Sequence, residues 1–545
     1  MFKVIALLFM GSLGFAQSNS KELNIALNAE FETLNPLVNT MMAAIYVQDS
    51  TLRPLVKITP NGKIEPVLLK DIPKAKQKTA QGLMTEIEFR AEANWGDGNP
   101  VTCQDLKATL EIGLGPKVST ANREDYENIK GIIVDQNNPK KCQVHFKEAK
   151  WNFYLTFPRP IPAHLEFPIY QKYKDQDLGY ERNSLYVREP ANPGLYNGPF
   201  VVSEIKQGSH ILLKRNEKFY GLKPYFDKVI FKWILNTATI EANLRSGVVQ
   251  MASSSGLSLD QALAFEEKIQ KEKLPFEVKI IPGFVYSHLD LNLDHPVLQD
   301  IKVRQALAHA INRDELAKAF FKNKIKPSHH FAAEIDSWFT DDPKWVKKYE
   351  YSRAKANELL EAAGWKMGKK GIREKEGKSL TLTINSAADN KLSEMVEVFI
   401  QGAWKQVGVE LQIKNYPARV LFPEILKKRK FEVGFYSWVL NPDGSQLNLL
   451  HSEKIPSEKN SFSGSNRPGW KNLKVDQWLE KVETEFESKK RIELMRKVIR
   501  AYTEELPAIP LYYRPNNSVI PKGLKNYQMS GHVFSEYLEI EKWEY

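Results

Sequence analysis

An alternation of strand, helix and strand in the C-terminal half constrains the fold of this chain more than any other feature. Residues 381–384 have the composition of a short strand, residues 392–407 have helical periodicity and end before Gly408, and residues 409–413 repeat the strand pattern. A helix placed between two strands in this way brings them into parallel pairing. Because strand patterns also fill much of the first half, we predict a mixed α/β protein.

The length of the chain predicts several domains. At 545 residues it exceeds what one hydrophobic core normally organises. Its net charge of +11 would suit nucleic acid or an anionic ligand. However, the Lys and Arg residues are interleaved with Asp and Glu along the chain, and no nucleic-acid-binding motif accompanies them. We therefore do not expect nucleic acid as a partner.

The N-terminus has the pattern of a secretory signal peptide. Lys3 precedes an apolar run at residues 4–10, and Gly14 and Ala16 occupy the two positions that a signal peptidase reads. This pattern predicts cleavage after Ala16, so that residues 1–16 are removed on export. No Cys follows the run to carry a lipid, and no later stretch approaches the roughly 18 apolar residues of a membrane-spanning helix.

The only two cysteines are Cys103 and Cys142. In an oxidising compartment such a pair can form a disulfide bond. Two buried free thiols fit the sequence equally well. Neither cysteine is surrounded by the His and Cys spacing of a metal site, so no metal is expected there.

The sequence lacks the motifs of common hydrolases and nucleotide-binding proteins. It contains no HExxH helix and no GxSxG turn. Residues 371–379, GIREKEGKS, miss the phosphate-loop spacing by one residue, and we expect a polar hairpin there. The adjacent His329 and His330 are expected in a surface loop rather than on a metal. We therefore expect no enzymatic activity, no metal and no cofactor.

Residues 431–450 form the candidate ligand-binding stretch. Aromatic and β-branched residues predict a strand that contains Tyr436 and Trp438, and the run NPDG at 441–444 predicts a turn after it. The two rings offer apolar faces to a ligand, and Asn441 and Asp443 offer hydrogen bonds. Considered alone, the stretch is better interpreted as a core strand followed by a surface turn.

Five short motifs are spread over nearly the whole chain after the signal peptide. They are NWGDGNPVT at 94–102 with Asp105, NGPF at 197–200 followed by KRN at 214–216 and FY at 219–220, DIKVRQAL at 300–307 with AINR at 310–313, ANELLEAAGW at 356–365, and Arg491 with ELPAIPL at 505–511. In this order they resemble motifs of the extracytoplasmic solute-binding proteins of oligopeptide, dipeptide and nickel ABC importers, solute-binding protein family 5.

The resemblance implies a type II periplasmic binding protein, with two lobes on a hinge and an extra inserted domain. The limits it implies are 17–52, 190–280 and 507–545 for a discontinuous lobe I, 53–189 for the extra domain and 281–506 for lobe II. A solute would bind between the lobes and close them by a hinge motion. A periplasmic monomer of this kind delivers its solute to ABC permease subunits in the inner membrane and breaks no bond.

The resemblance also implies ligand contacts. In peptide binders of the family, an aspartate shortly after the tryptophan of the pocket strand holds the peptide α-amino group. Here Asn441 occupies that position after Trp438, and Asp443 is the expected substitute. The expected ligand residues are Thr33, Leu34 and Asn35 in an N-terminal loop, Arg419 as a partner for a ligand carboxylate, and Tyr436, Trp438, Asn441 and Asp443.

Short peptides are the expected solute. Because Asn441 replaces the aspartate, a non-peptide solute such as a sugar, an opine or a nickel chelate stays open as an alternative. A periplasmic receptor or chaperone that uses the same fold without transport is a further alternative. These readings differ in the ligand and the partner, and all of them share the two-lobed fold.

Overall fold

The computed structural model describes residues 21–79, 82–236, 239–253, 256–388, 390–532 and 534–545. The expected signal peptide at residues 1–16 therefore lies outside the described residues.

The strands of the described part are β1 (Glu22–Leu27), β2 (Val56–Ile58), β3 (Ile64–Pro66), β4 (Ala75–Thr79), β5 (Gly82–Glu88), β6 (Ile129–Val134), β7 (Lys141–Phe146), β8 (Phe200–Lys206), β9 (His210–Arg215), β10 (Lys228–Trp233), β11 (Met251–Ala252), β12 (Phe276–Leu291), β13 (Lys366–Met367), β14 (Arg373–Lys375), β15 (Lys378–Ser379), β16 (Thr381–Asn385), β17 (Glu410–Ile413), β18 (Val433–Val439) and β19 (Ala508–Pro521). The α-helices of the same part are α1 (Met42–Thr51), α2 (Cys103–Gly113), α3 (Arg123–Asn128), α4 (Ala163–Tyr173), α5 (Gly179–Asn183), α6 (Leu185–Arg188), α7 (Ile240–Arg245), α8 (Leu259–Glu272), α9 (Pro296–Gln299), α10 (Ile301–His309), α11 (Arg313–Phe321), α12 (Arg353–Ala362), α13 (Lys391–Lys405), α14 (Ala418–Val420), α15 (Leu447–Leu450), α16 (Leu473–Thr484) and α17 (Ser488–Glu505).

One continuous sheet connects the two halves of the molecule. Its strands follow the order β17-β16-β18-β12-β19-β11-β1-β10-β9-β8. β16 pairs in parallel with both β17 and β18, which confirms the parallel pairing expected in the C-terminal half. At the other end, β1 pairs in parallel with β10 and β11. The mixed α/β prediction is confirmed.

Two long strands carry the sheet from one half to the other. β12 and β19 are antiparallel partners along almost their whole length, with a register shift between Pro282 and Val285. Beyond that shift β12 also pairs with β18, whereas β19 pairs with β11 at Val519 on the other side. The chain therefore crosses between the halves at an irregular point of a two-stranded ribbon, where bending is easiest.

Each half has its own hydrophobic core. One cluster of buried side chains extends from Leu23 through the β4–β7 region to Trp543. A second cluster, which includes Leu289 and Trp404, packs around β16 and β18. The separate cores define the two lobes by packing. The exact domain limits stay a prediction, because β12 and β19 contribute to both halves.

The part inserted after the β2–β3 hairpin is built on a sheet in the order β4-β5-β7-β6. At the start of α2, the Thr102 N–H donates to Asp105 Oδ2 at 2.7 Å and Thr102 Oγ1 accepts from the Gln104 N–H at 3.2 Å, so Thr102 and Asp105 cap the helix. Cys103 in α2 is bonded to Cys142 in β7, with 6.1 Å between their Cα atoms. Of the two alternatives for the cysteines, the structure contains the disulfide.

Two segments expected to be polar and exposed have different outcomes. The expected hairpin at 371–379 is confirmed as β14 and β15, in a small sheet with β13. The surface position expected for His330 is wrong, because its side chain is buried. Its Nε2 lies 2.9 Å from the Thr340 carbonyl oxygen, and its Nδ1 accepts from the Ala332 N–H at 3.1 Å. Backbone partners for both ring nitrogens make the burial tolerable, and burial lowers the pKa of His330 to about 4.

Candidate functional site

The carboxyl ends of the parallel strands outline a candidate cleft between the lobes. In open α/β sheets, ligands bind outside these ends. Val439, the last residue of β18, is 70% exposed, and Leu235, two residues after β10, is 61% exposed. Met41 and Met42, which follow β1 and begin α1, are also exposed. Large apolar side chains left open at strand ends on both lobes are typical of a binding groove.

The buried side chain of Tyr436 is held within lobe II by two residues of β12. It pairs with His288 of β12, and its buried hydroxyl donates to Asp290. The His288 Nε2 lies 3.2 Å from the other oxygen of Asp290. Burial and the nearby Asp290 carboxylate raise the pKa of Tyr436 well above its usual range. Because its hydroxyl is already bonded within the lobe, only the ring of Tyr436 is left for a contact with ligand, which stays a prediction.

Trp438 is half-buried and packs against Tyr436, with 5.6 Å between the ring centroids. The guanidinium carbon of Arg467 lies 4.5 Å from the centroid of Trp438 and 4.6 Å from that of Tyr436. The structure thus places one arginine over two rings of β18. The sequence offered no signal that singles out Arg467 among 77 Lys and Arg residues, since the contact joins strand β18 to a loop further along the chain.

The turn after β18 is tied to a second loop. Asp443 has a φ of +49°, its Oδ1 accepts from the Ser337 N–H at 2.6 Å, and its own N–H donates to Asp336 Oδ1 at 2.8 Å. Burial raises the pKa of Asp443, and burial also raises the pKa of Asp336 to about 7. Asn441 is exposed. The two residues expected to contact ligand therefore differ: Asn441 is open, and the Asp443 carboxylate already has a partner.

The N-terminal loop belongs to the opposite lobe. Leu34 and Asn35 are buried, and Asn35 Nδ2 donates to Tyr180 at 3.0 Å and to Ser184 at 3.2 Å. Thr33 is half-buried, and its hydroxyl accepts from the Asn35 N–H at 3.1 Å. Of these three expected contacts, only Thr33 keeps part of its side chain open to solvent, and the ligand role of all three stays a prediction.

Arg419 lies in α14, close to the end of β17. It is exposed and makes no ion pair with another described residue. The preceding Tyr416 packs against the cluster that contains Tyr436 and Trp438. The segment of Arg419 therefore borders the same part of lobe II, and its expected contact with a ligand carboxylate stays a prediction.

The inserted domain contacts lobe II next to these residues. The Trp151 N–H donates to the Glu483 carbonyl at 3.0 Å, and the Arg491 guanidinium lies 3.6 Å from the Trp151 ring centroid. Lys78 lies 3.8 Å above the ring of Phe486. Trp151 is buried within a cluster formed mainly by lobe II. The inserted domain therefore forms one side of the interlobe region.

Within residues 21–545, apart from the undescribed gaps, none of the helices has the length and apolar character needed to cross a bilayer.

Two halves with separate hydrophobic cores, joined by the paired strands β12 and β19, have the architecture of a two-lobed binding protein. The sequence profile of bacterial extracellular solute-binding proteins, family 5 (middle region), matches residues 63–455. The chain belongs to this family, which confirms the resemblance and the fold that it implied.

Individual relatives agree with the family. The oligopeptide-binding protein AppA of Bacillus subtilis is 24% identical over 469 residues, which are 85% of this chain and 81% of that protein. Its structure in complex with a nonapeptide has a TM-score of 0.69 and 22% identity, over 96% of this chain and 98% of that chain. NikA from Brucella suis in complex with Fe(III)-EDTA has a TM-score of 0.78 and 20% identity, over 96% of this chain and 99% of that chain. At these identities the solved structures establish the fold.

Proposed function

We propose that this protein is the periplasmic substrate-binding component of an ABC importer, which binds short peptides between its lobes and delivers them to membrane permease subunits. In this role it is an exported monomer that catalyses no reaction. The proposal includes removal of residues 1–16 and the domain limits expected from the sequence.

The exposed apolar residues at strand ends on both lobes carry this proposal. Val439 and Leu235 stand on different lobes, at the edges where α/β sheets bind ligands. Burying them against a solute would favour the closed form. The relatives named oligopeptide-binding proteins support a peptide as that solute.

Mass spectrometry of the material released from purified, denatured protein tests the solute class. A mixture of short peptides supports the proposal. A single sugar or metal chelate would contradict it and support the non-peptide alternative, which the presence of Asn441 in place of an aspartate motivates.

A matched pair of variants tests the cleft. Val439→Asp places a charge on an exposed apolar residue at the end of β18, and Ile133→Asp does the same in β6 of the inserted domain, where the side chain is 60% exposed. We expect Val439→Asp to weaken peptide binding at least tenfold in calorimetry, because a ligand would have to desolvate the new carboxylate. Ile133→Asp should leave affinity unchanged. Equal affinities for both variants would place the binding surface elsewhere.

A further inference from the structure

We propose that a cavity beside the crossing strands β12 and β19 is a second binding site, separate from the candidate cleft, for an uncharged apolar ring compound. The cavity has a volume of about 720 Å³. Small-molecule sites in proteins commonly enclose about 300–1,000 Å³, so a compound of ordinary ligand size fits. The inference does not depend on the solute proposed above, because it concerns other residues.

Three parts of the chain form the walls of this cavity. Pro60 and Asn61, in the turn of the β2–β3 hairpin, line one side. Ile281 and Phe284 of β12 and Tyr513 of β19 contribute the connecting strands, and the remaining wall comes from lobe II, between residues 311 and 351. A molecule in the cavity would therefore contact the hairpin, the connecting strands and lobe II at the same time.

A loop of lobe II separates the cavity from the turn after β18. Glu334 and Ile335 line the cavity. The next two residues of the same loop, Asp336 and Ser337, are instead hydrogen-bonded to Asp443 in that turn. The exposed apolar residues that outline the candidate cleft at the strand ends do not line the cavity. The two sites are therefore built from different side chains.

Aromatic and aliphatic side chains give the cavity an apolar surface. The rings of Tyr349 and Tyr513 belong to buried residues, whereas Phe339 and Ile335 are half-buried and Tyr351 is 42% exposed. Covering apolar side chains that face water is favourable. Aromatic rings also pack in offset or edge-to-face contacts with other rings. The wall therefore favours an occupant with a ring system.

Most charged groups of the cavity are already matched by one another. Lys348 Nζ lies 2.9 Å from Asp341 Oδ1, and Lys326 Nζ lies 3.3 Å from Glu334 Oε1. Burial lowers the pKa of His329 to about 4, so this imidazole is neutral near pH 7. These residues therefore offer no unmatched charge to a ligand.

The remaining charged residues of the cavity are either bonded to the backbone or exposed to water. The buried Arg313 guanidinium donates to the Pro510 carbonyl at 3.2 Å and to the Tyr349 carbonyl. Asp314 and Glu350 are exposed and keep their hydration. An ion that entered the cavity would lose its own hydration without gaining a buried counter-charge, so an uncharged compound is favoured.

Three naphthalene compounds of similar size test the chemistry of the site by ligand-observed NMR titration. They are 2-naphthalenemethanol, which is uncharged, naphthalene-2-sulfonate, an anion, and 2-naphthylmethylammonium, a cation. We expect the alcohol to bind about tenfold more tightly than either ion. If either ion binds as tightly as the alcohol, the inference is wrong, and preference for the cation would assign recognition to Asp314 and Glu350.

Variants locate the bound alcohol. Ile335→Asp places a carboxylate on the cavity wall and should weaken binding of the alcohol about tenfold. Tyr351→Asp, at a more exposed ring, should act in the same direction and serves if Ile335→Asp lowers the melting temperature. Ile133→Asp in β6 and Val439→Asp at the candidate cleft are the controls and should bind the alcohol as the wild type does.

The outcomes distinguish a second site from the cleft. Loss of the alcohol in Val439→Asp, with binding kept in Ile335→Asp and Tyr351→Asp, would place the compound in the cleft and refute the inference. Equal binding by all four variants would also refute it. Saturating pentaalanine should not displace the alcohol, and displacement would show one shared site. Failure of pentaalanine itself to bind would count against the proposed function and would leave the comparison of variants unchanged.

Discussion

Gly62 offers a direct test of whether the lobes must approach each other to bind a solute. It lies in the turn of the β2–β3 hairpin with a φ of +80°, and a Cβ added there would lie 2.8 Å from Cγ1 and 3.2 Å from the carbonyl oxygen of Ile335. Ile335 belongs to the lobe II loop that precedes Asp336. Gly62→Ala therefore adds a methyl group at a contact between the β2–β3 hairpin and lobe II, and we expect it to disfavour the arrangement in which these parts touch.

The magnitude has two parts. An alanine in the left-handed region costs roughly 1 kcal/mol of conformational energy. Overpacking by one methyl group costs about 1–3 kcal/mol when the neighbours cannot yield. Gly371→Ala is the matched control, because Gly371 has a φ of +75° in a hairpin and an added Cβ there would meet nothing within 4 Å. The difference between the two variants isolates the contact with Ile335.

If closure is required, the second cost reduces solute affinity by about 5- to 150-fold in Gly62→Ala relative to Gly371→Ala. Calorimetry with pentaalanine measures this ratio. Small-angle scattering of the same samples should show a larger radius of gyration for Gly62→Ala with peptide present. Equal affinities and equal radii in the two variants would refute the reasoning, because Ile335 would then move aside at no cost to closure.

Two further predictions concern stability. The disulfide closes a 39-residue separation and should stabilise the folded protein by about 4 kcal/mol. The double variant Cys103→Ala/Cys142→Ala should therefore unfold at a lower urea concentration than the wild type. Thiol titration of denatured, unreduced wild type should find no free thiol, and two free thiols would contradict the bond. Asp336, whose pKa burial raises to about 7, binds a proton in the folded protein more tightly than in the unfolded chain. Its contribution to stability is therefore present below its usual pKa of 3.8 and is lost as pH rises through about 7. The melting temperature of the wild type should fall between about pH 4 and pH 7, and Asp336→Asn should flatten that fall; an unchanged slope would assign the pH dependence to other groups.

Local signals in the sequence were sufficient wherever neighbouring residues make the structure. The cap of α2 depends on Thr102 and Asp105, three positions apart, and both its bonds are present. The parallel pairing of β16 and β17 follows from the helix between them, α13, and the hairpin at 371–379 follows from its glycines. In each case the interacting groups lie close in the chain, so composition and spacing were enough.

The candidate site was only partly predictable. The sequence drew attention to the β18 stretch, and the structure leaves Val439 exposed and Trp438 half-buried at the end of that strand. No pattern in the sequence indicated that Asn35 is hydrogen-bonded to Tyr180 and Ser184, residues about 150 positions away, or that His330 is buried. Burial and hydrogen-bond satisfaction depend on partners brought together by the whole fold, and a single sequence does not contain their distances.

By itself, the sequence determined the α/β class, the family and the stretch that carries the ligand-facing strand, because these depend on local pattern and on the order of motifs. Only the tertiary structure decided that Cys103 and Cys142 are bonded, that the Asp443 carboxylate accepts from the Ser337 backbone, and that the Arg467 guanidinium lies over two rings of β18. The physical reason is that charge and hydrogen-bond chemistry act over a few ångströms. The residues that meet at those distances come from segments that the hinge and the crossing strands bring together.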